Sequence, residues 1–245
     1  MSKVRAGGEP VRKFLIDNID AHPADVVKMA SEEFDYSRQA VHKHLKRLVD
    51  EGAVLVTGKT RSKRYRLAPL LEWTNQYEVT RGLAEDTVWR SDVSPLLGKL
   101  PDNVLNIWHY GFTEMFNNVI DHSGASHVIV TIRKTAASTR IEIYDDGIGI
   151  FKKIQAALGL VDERHSVLEL AKGKFTTDPA NHSGEGIFFS SRMFDEFDIL
   201  SGEVFFSHEF EKKEDWILQR SKPRGGTQVT MLLHNHTART TKKVF

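Results

Sequence analysis

Apolar positions along the first fifty residues recur every three or four residues, the period of a helix that buries one face. Val11, Phe14, Leu15 and Ile19 give a first helix, closed by Pro23. Ala24 to Phe34 gives a second, with Val26, Val27, Met29 and Ala30 as its apolar side. A third runs from Ser37, an N-cap residue type, to Gly52, a C-terminal stop. Ala40, Val41, Leu45, Leu48 and Val49 face inward in it, and Arg38, Gln39, His42, Lys43 and Lys46 face outward. The period then changes to two. Ala53 to Val56 and Tyr65 to Leu67 read as strands around a hairpin tip, Thr57 to Arg64.

Pro69 marks a boundary, so residues 1–68 form one domain. Residues 69–100, with Trp73, Trp89 and Pro95, read as a helical linker between domains or a dimer contact. Beyond it the pattern alternates again. A helix over Asp102 to Asp121 is followed by strands at His127 to Lys134 and Ser138 to Asp145, then by a helix near Phe151 to Leu158. A helix-like run, Ile187 to Phe194, precedes strands at Phe197 to Leu200, Val204 to Phe210, Trp216 to Gln219 and Thr227 to Leu233. The fold class is therefore α/β. The second domain spans 101–235 and 236–245 is a tail; His234-Asn235-His236, at their junction, lacks a third metal ligand. The apolar final pair, Val244-Phe245, hints at a further element beyond.

Charge adds an asymmetry that the pattern does not contain. Residues 1–68 carry 14 Lys/Arg against 9 Asp/Glu, or +5, and the remainder 20 against 24, or −4. From Arg38 to Arg66 nine residues are basic and two acidic, on the third helix and the hairpin tip. A charge run is usually a solvated face; coincident with a helix and hairpin it points to DNA. There is no cysteine, which excludes disulfides and thiolate metal sites. No apolar run approaches the ~20 residues of a membrane span, and the N-terminus lacks the apolar segment of a signal peptide, so the expected location is cytoplasmic and away from membranes.

Four short motifs carry the chemistry of the second domain. Glu114, Asn118 and Asp121 or His122 share one face of the helix at 102–121. Asp145-Asp146-Gly147-Ile148-Gly149 ends a strand, Gly184-Glu185-Gly186 precedes a helix, and Gly226-Thr227 opens the last strand. Taken singly they read as a solvated face and tight turns. In this order they resemble the nucleotide site of gyrase-type ATPases, heat-shock chaperones, sensor histidine kinases and mismatch-repair ATPases, the GHKL superfamily. That resemblance covers roughly residues 100–235. It implies a two-layer Bergerat-type α/β sandwich, a mixed sheet with helices on one face, which binds ATP with magnesium. It also makes the segment Leu168 to Ser183, with Lys172 and Lys174, an ATP lid.

The residue types fit that chemistry on their own terms. A carboxylate such as Asp145 accepts a hydrogen bond from the exocyclic amine of adenine, a donor guanine lacks there. Gly147 and Gly149 admit backbone close to a ligand. Gly184 and Gly186 would offer converging amides to phosphate, within reach of Lys174. Asn118 supplies a hard oxygen to magnesium, whose other ligands can be phosphate oxygens and water. Glu114, one turn earlier, is placed to activate water or a hydroxyl, where the superfamily has its base.

Residues 1–68 resemble the winged helix-turn-helix of bacterial transcription regulators. In that reading Ser37, Arg38, Gln39, His42 and Lys43 enter the major groove, and Lys59, Arg61, Lys63 and Arg64 meet phosphate or minor groove. The competing reading is a winged helix that docks a protein. A palindromic DNA site would imply a homodimer with recognition helices ~34 Å apart. The whole chain thus reads as an ATP-binding transcription regulator. The alternative is a protein serine/threonine kinase resembling anti-sigma-factor kinases, or a slow magnesium-dependent ATPase. A two-component histidine kinase fits less well: no two-helix unit presents a phosphoacceptor histidine before residue 100, and His109 and His122 lie inside the ATP-binding helix. Topoisomerase or chaperone activity would need transducer domains not present in these residues.

Overall fold

The computed structural model describes residues 8–171, 186–210, 212 and 214–241. The chain divides into two compact units. The first holds the residues up to Leu70 together with Lys134–Ala137, and the second holds Leu71–Arg133 and the chain from Ser138 onward.

Three helices and a hairpin build the first unit: α1 (Gly8–Asn18), α2 (Val26–Phe34), α3 (Arg38–Asp50), β1 (Val54–Thr57) and β2 (Arg64–Leu67). The periodic apolar residues close one core, in which Val11, Leu15, Ile19, Val26, Ala30, Val41, Leu45 and Leu48 are almost wholly buried. The Ser37 hydroxyl accepts from the Ala40 amide at 3.2 Å, satisfying one of the free amides that begin α3. Arg38, Gln39, His42 and Lys43 are exposed, as the amphipathic pattern requires. β1 and β2 pair antiparallel, with Thr57 opposite Arg64. A short 3-10 turn at Thr60–Ser62 forms the tip. Lys59, Lys63 and Arg64 are exposed there, and Arg61 falls within the turn.

The second unit starts with a strand where the sequence suggested a helical linker. β3 (Leu71–Glu78) is the edge of a five-stranded sheet; short helices α4 (Glu85–Val88) and α5 (Ser94–Leu97) follow, separated by a π-helical turn at Trp89–Val93. Then come α6 (Asp102–Asn118), a second π-helical turn at Val119–Ser123, β4 (His127–Lys134), β5 (Ser138–Asp145), α7 (Ile150–Leu158), α8 (Glu163–Ala171), α9 (Gly186–Met193), β6 (Glu196–Glu209) and β7 (Trp216–His234).

The sheet order is β3-β4-β5-β7-β6 and the sheet is antiparallel, not mixed as the resemblance implied. The helical stretch between β3 and β4 returns the chain beside the end of β3, where the Val79 amide donates to Ser126 O at 2.9 Å. That return makes the pair antiparallel despite its long connection. β6 doubles back on itself at Gly202, whose φ is +56°, so that the Phe210 amide donates to the Asp195 carbonyl at 3.0 Å. Ser201–Glu196 then pairs with Thr227–Leu232, while Val204–Ser207 pairs with Gln219–Trp216. The four short strands read from the sequence over 197–233 are thus the arms of β6 and β7.

One sheet face carries the core. Val128, Val130 and Ile132 of β4, Ile141 and Ile143 of β5, Phe197 and Ile199 of β6, and Val229, Met231 and Leu233 of β7 are buried with Trp108, Phe112, Met115 and Phe116 of α6. A Cβ on Gly111 of α6 would overlap the ring of Phe194, the residue after α9. The opposite face carries polar pairs such as Arg133–Glu72 and Arg140–Glu196, each at 2.9 Å. Alternation of period two produces this division. Among the described residues no helix is long and apolar enough to cross a membrane.

Candidate functional site

Asp145 follows Ile141 and Ile143 on the inward-facing positions of β5, so the strand's pleat puts a carboxylate where the next core residue would stand. It is 3% exposed. Burial pushes its pKa up to about 6, against the lowering effect of hydrogen bonds from the backbone of Gly147 and Thr227. The Gly147 amide donates to Oδ1 at 2.8 Å, and Thr227 lies directly across the β5–β7 ladder. Asp146, one residue on, is exposed and held low, mainly by hydrogen bonds from the backbone and side chain of His127. Its Oδ1 accepts from the amides of Ser126 and His127 at 2.8 and 2.9 Å.

The loop after Asp145 is stitched to three elements. The Asp146 amide donates to His127 O at 3.3 Å, Ile148 to Ser123 O at 3.0 Å, and the Ile150 amide to the Thr227 hydroxyl at 3.0 Å. Two glycines in it are sterically required. A Cβ on Gly147 would overlap the Ser123 carbonyl, and Gly149, at φ +91°, would put one 2.7 Å from the Ser201 hydroxyl. Gly226, at φ +73°, passes so close to the Asp145 carbonyl that no side chain fits. Ser201 Oγ donates to Gly226 O at 3.2 Å and joins the Gly226 turn to β6.

The helix that precedes the loop ends in a widened turn. α6 is α-helical through Asn118 and then π-helical through Ser123, stopping at Gly124 in the left-handed region. Glu114 and Asn118 keep their one-turn spacing, whereas Asp121 and His122 follow the wider period and leave that repeat. Lys153 of α7 donates to His122 O at 2.6 Å; burial lowers its pKa, and Asp121 acts in the opposite direction. Gly186 begins α9 against the Glu114 carboxylate, where a Cβ would overlap Oε2.

Of the residues expected to bind nucleotide, Asp145, Gly147, Gly149 and Thr227 are directly linked by these contacts, and Gly186 lies on Glu114. Lys174 and Gly184, and with them most of the expected lid, lie outside the described residues. Ser123, Asp146, Lys153 and Ser201 also belong to the site's framework and were not read from the sequence; only the serine and aspartate side chains beside glycines hinted at them. His234 and Asn235 have structural roles, pairing with Asp195 and Thr139 at 2.8 Å. Among the described residues no group of three or more His, Asp or Glu could hold a metal. A magnesium ion would accordingly draw on Asn118 and the oxygens of the nucleotide itself, a donor set that suits this hard cation.

A buried acceptor at a strand end, glycines that admit only backbone, and a helix carrying Glu-x-x-x-Asn define a GHKL-type ATP-binding domain. Residues 107–237, more than half of the chain, match the histidine kinase-, DNA gyrase B-, and HSP90-like ATPase family, and the protein belongs to that family. Domains of this kind bind ATP, typically with magnesium. No curated protein matches the chain.

Proposed function

We propose that the first unit is a winged helix-turn-helix that binds DNA, and that the nucleotide held by the second unit regulates this binding. The observation that supports it is the coincidence of an exposed polar helix face, Arg38, Gln39, His42 and Lys43 behind the Ser37 cap, with the exposed hairpin cations Lys59, Lys63 and Arg64. Among the described residues, the ion pairs of this unit, Arg12–Glu51 and Lys28–Glu32 among them, involve none of these cations. They are therefore available to phosphate. Anisotropy titration of the full chain with promoter-derived and random duplexes, with and without ATP, tests this at ~50 and ~200 mM salt. Affinity should fall on the order of a thousandfold between the two if about six phosphates are contacted. Absence of salt-sensitive binding at the lower concentration, in both nucleotide states, refutes it.

Glu114 favours a second reading, in which the site also turns ATP over by hydrolysis or by transfer to a protein hydroxyl, as in anti-sigma-factor kinases. It sits one turn before Asn118 and against the start of α9. Glu114→Gln should leave ATP affinity within about threefold and abolish turnover, whereas Asn118→Ala should weaken magnesium-dependent binding. No turnover by the wild-type chain with any candidate substrate would remove this reading and leave nucleotide sensing.

A further inference from the structure

Among the described residues, the outermost stretch of β7 leaves one edge without a partner strand. Trp216–Gln219 of β7 pairs on one side with Val204–Ser207 of β6, and β5 reaches β7 only from Thr227 onward. Among the described residues no strand therefore lies along the other edge of Trp216–Gln219. The strand is also apolar where it is exposed: Trp216 is 52% accessible, Leu218 50% and Ile217 37%. Proteins usually guard such an edge with a charge, a proline or a bulge, and the four residues Trp-Ile-Leu-Gln contain none of the residues that do so.

The charges lie on either side of it, with opposite sign. Among the described residues before it, Glu209, Glu214 and Asp215 stand against Lys212; Lys212 pairs with Glu209 and Asp215 with Arg192 and His208, which leaves Glu214 as the acid next to the strand. Residues 220–224 hold Arg220, Lys222 and Arg224 with no acid, a net +3. An antiparallel strand brought up by a two-fold axis places the acidic end of one copy beside the basic end of the other, twice over. The same geometry puts Ile217 and Leu218 of the two chains together at the centre. A strand followed by bases and preceded by an acid is thus complementary to itself in that direction.

We propose that Trp216–Gln219 is where this chain pairs with a second copy of itself, edge to edge and antiparallel. A contact of four residues a side with its flanking turns covers less than the ~1,200 Å² of a standard interface, the size class of weak, transient association. The inference rests on neither the nucleotide nor the DNA reading.

Sedimentation velocity on the full chain, over concentrations from below to well above the micromolar range, tests it. A reversible monomer–dimer equilibrium is expected, weakened by high salt. Leu218→Asp should raise the dissociation constant more than tenfold, and Arg220→Glu should raise it severalfold while abolishing the salt dependence. Val161→Asp, at a residue 89% exposed on another loop, should leave it unchanged. Amide exchange should slow at Trp216–Gln219 as concentration rises. Should Leu218→Asp fail to fold, Arg220→Glu and the exchange measurement still decide. A chain that stays monomeric throughout, or a dimer that neither Leu218→Asp nor Arg220→Glu alters, overturns the proposal.

Discussion

At the nucleotide end of the second unit Asp145, Ser201 and Thr227 are buried and hydrogen-bonded to backbone, whereas on the first unit Arg38, Gln39, His42, Lys43, Lys59, Lys63 and Arg64 are exposed and carried by helix or hairpin alone. Asp145 is fixed from two sides, by the Gly147 and Thr227 backbones, and glycines surround it because nothing larger fits. The surface of α3 has no such constraint. Substitutions that add bulk at the first place should therefore disturb fold and binding together, and those at the second binding alone.

The sharpest way to break that contrast is Gly226→Ala. The new Cβ would meet the Asp145 carbonyl in a backbone region that side chains rarely adopt. Strain and overpacking together should cost about 2–4 kcal/mol of stability and abolish ATP binding, measured by denaturant unfolding and calorimetric titration. Wild-type stability in this variant would show that the turn can relax, and that the site is less constrained than its geometry implies.

Asp145→Asn separates binding from folding inside the constrained region. A neutral amide removes the cost of desolvating a carboxylate, so the melting temperature should not fall. The amine of adenine loses its charged acceptor, at about 1.5–3 kcal/mol of ATP affinity. Asp146→Asn should do the reverse, keeping ATP affinity and losing stability as the clamp on Ser126 and His127 loosens. An Asp145→Asn variant that binds ATP normally, or GTP that competes equally with ATP, sinks the adenine role.

The same two carboxylates give opposite pH responses. Asp145 has a folded pKa raised to about 6, so its protonated form favours the fold: that contribution is present below the unfolded value and lost as pH rises through 6. Asp146 is depressed, so its contribution is present above the unfolded value and lost as pH falls. If Asp145 accepts from the amine of adenine, ATP binding needs its ionised form. Affinity measured by titration should therefore decline severalfold as pH drops from neutral through about 6, and Asp145→Asn should flatten that profile.

Sequence reading succeeded where a residue type answers a backbone need. Gly147, Gly149, Gly186 and Gly226 were legible because each passes a neighbour too closely for a Cβ, and the Ser37 cap because an exposed helix start requires an acceptor. The strands at His127–Lys134 and Ser138–Asp145 were legible from alternation alone. Other features depend on the rest of the fold. β3 has Leu71, Trp73 and Tyr77 at period two, but polar residues and two nearby helices masked the signal. The π-helical turn after Asn118 has no composition of its own, and the antiparallel order of β3 and β4 follows from how α4 to α6 return the chain. Asp146 was overshadowed by Asp145, since a sequence does not say which of two adjacent aspartates faces inward.

The smallest expected effects on stability belong to the first unit, and they carry the most information about its role. Arg38→Ala and Gln39→Ala alter exposed positions, so unfolding free energies should stay within about 0.5 kcal/mol of wild type. If α3 enters a major groove, these two residues read base edges, arginine pairing bidentately with guanine and glutamine with adenine. Their loss should cost ~1–3 kcal/mol on the preferred duplex and little on random DNA, which relaxes specificity. Lys59→Ala and Lys63→Ala should instead weaken both duplexes alike and lower the salt slope by about one unit each. The two pairs therefore differ in kind, one changing the ratio between duplexes and the other the slope. Titrations of all four variants on both duplexes at several salt concentrations separate them. Equal loss from every variant on every duplex would leave α3 a general cationic face, and no loss from any would mean that this surface meets a protein rather than DNA.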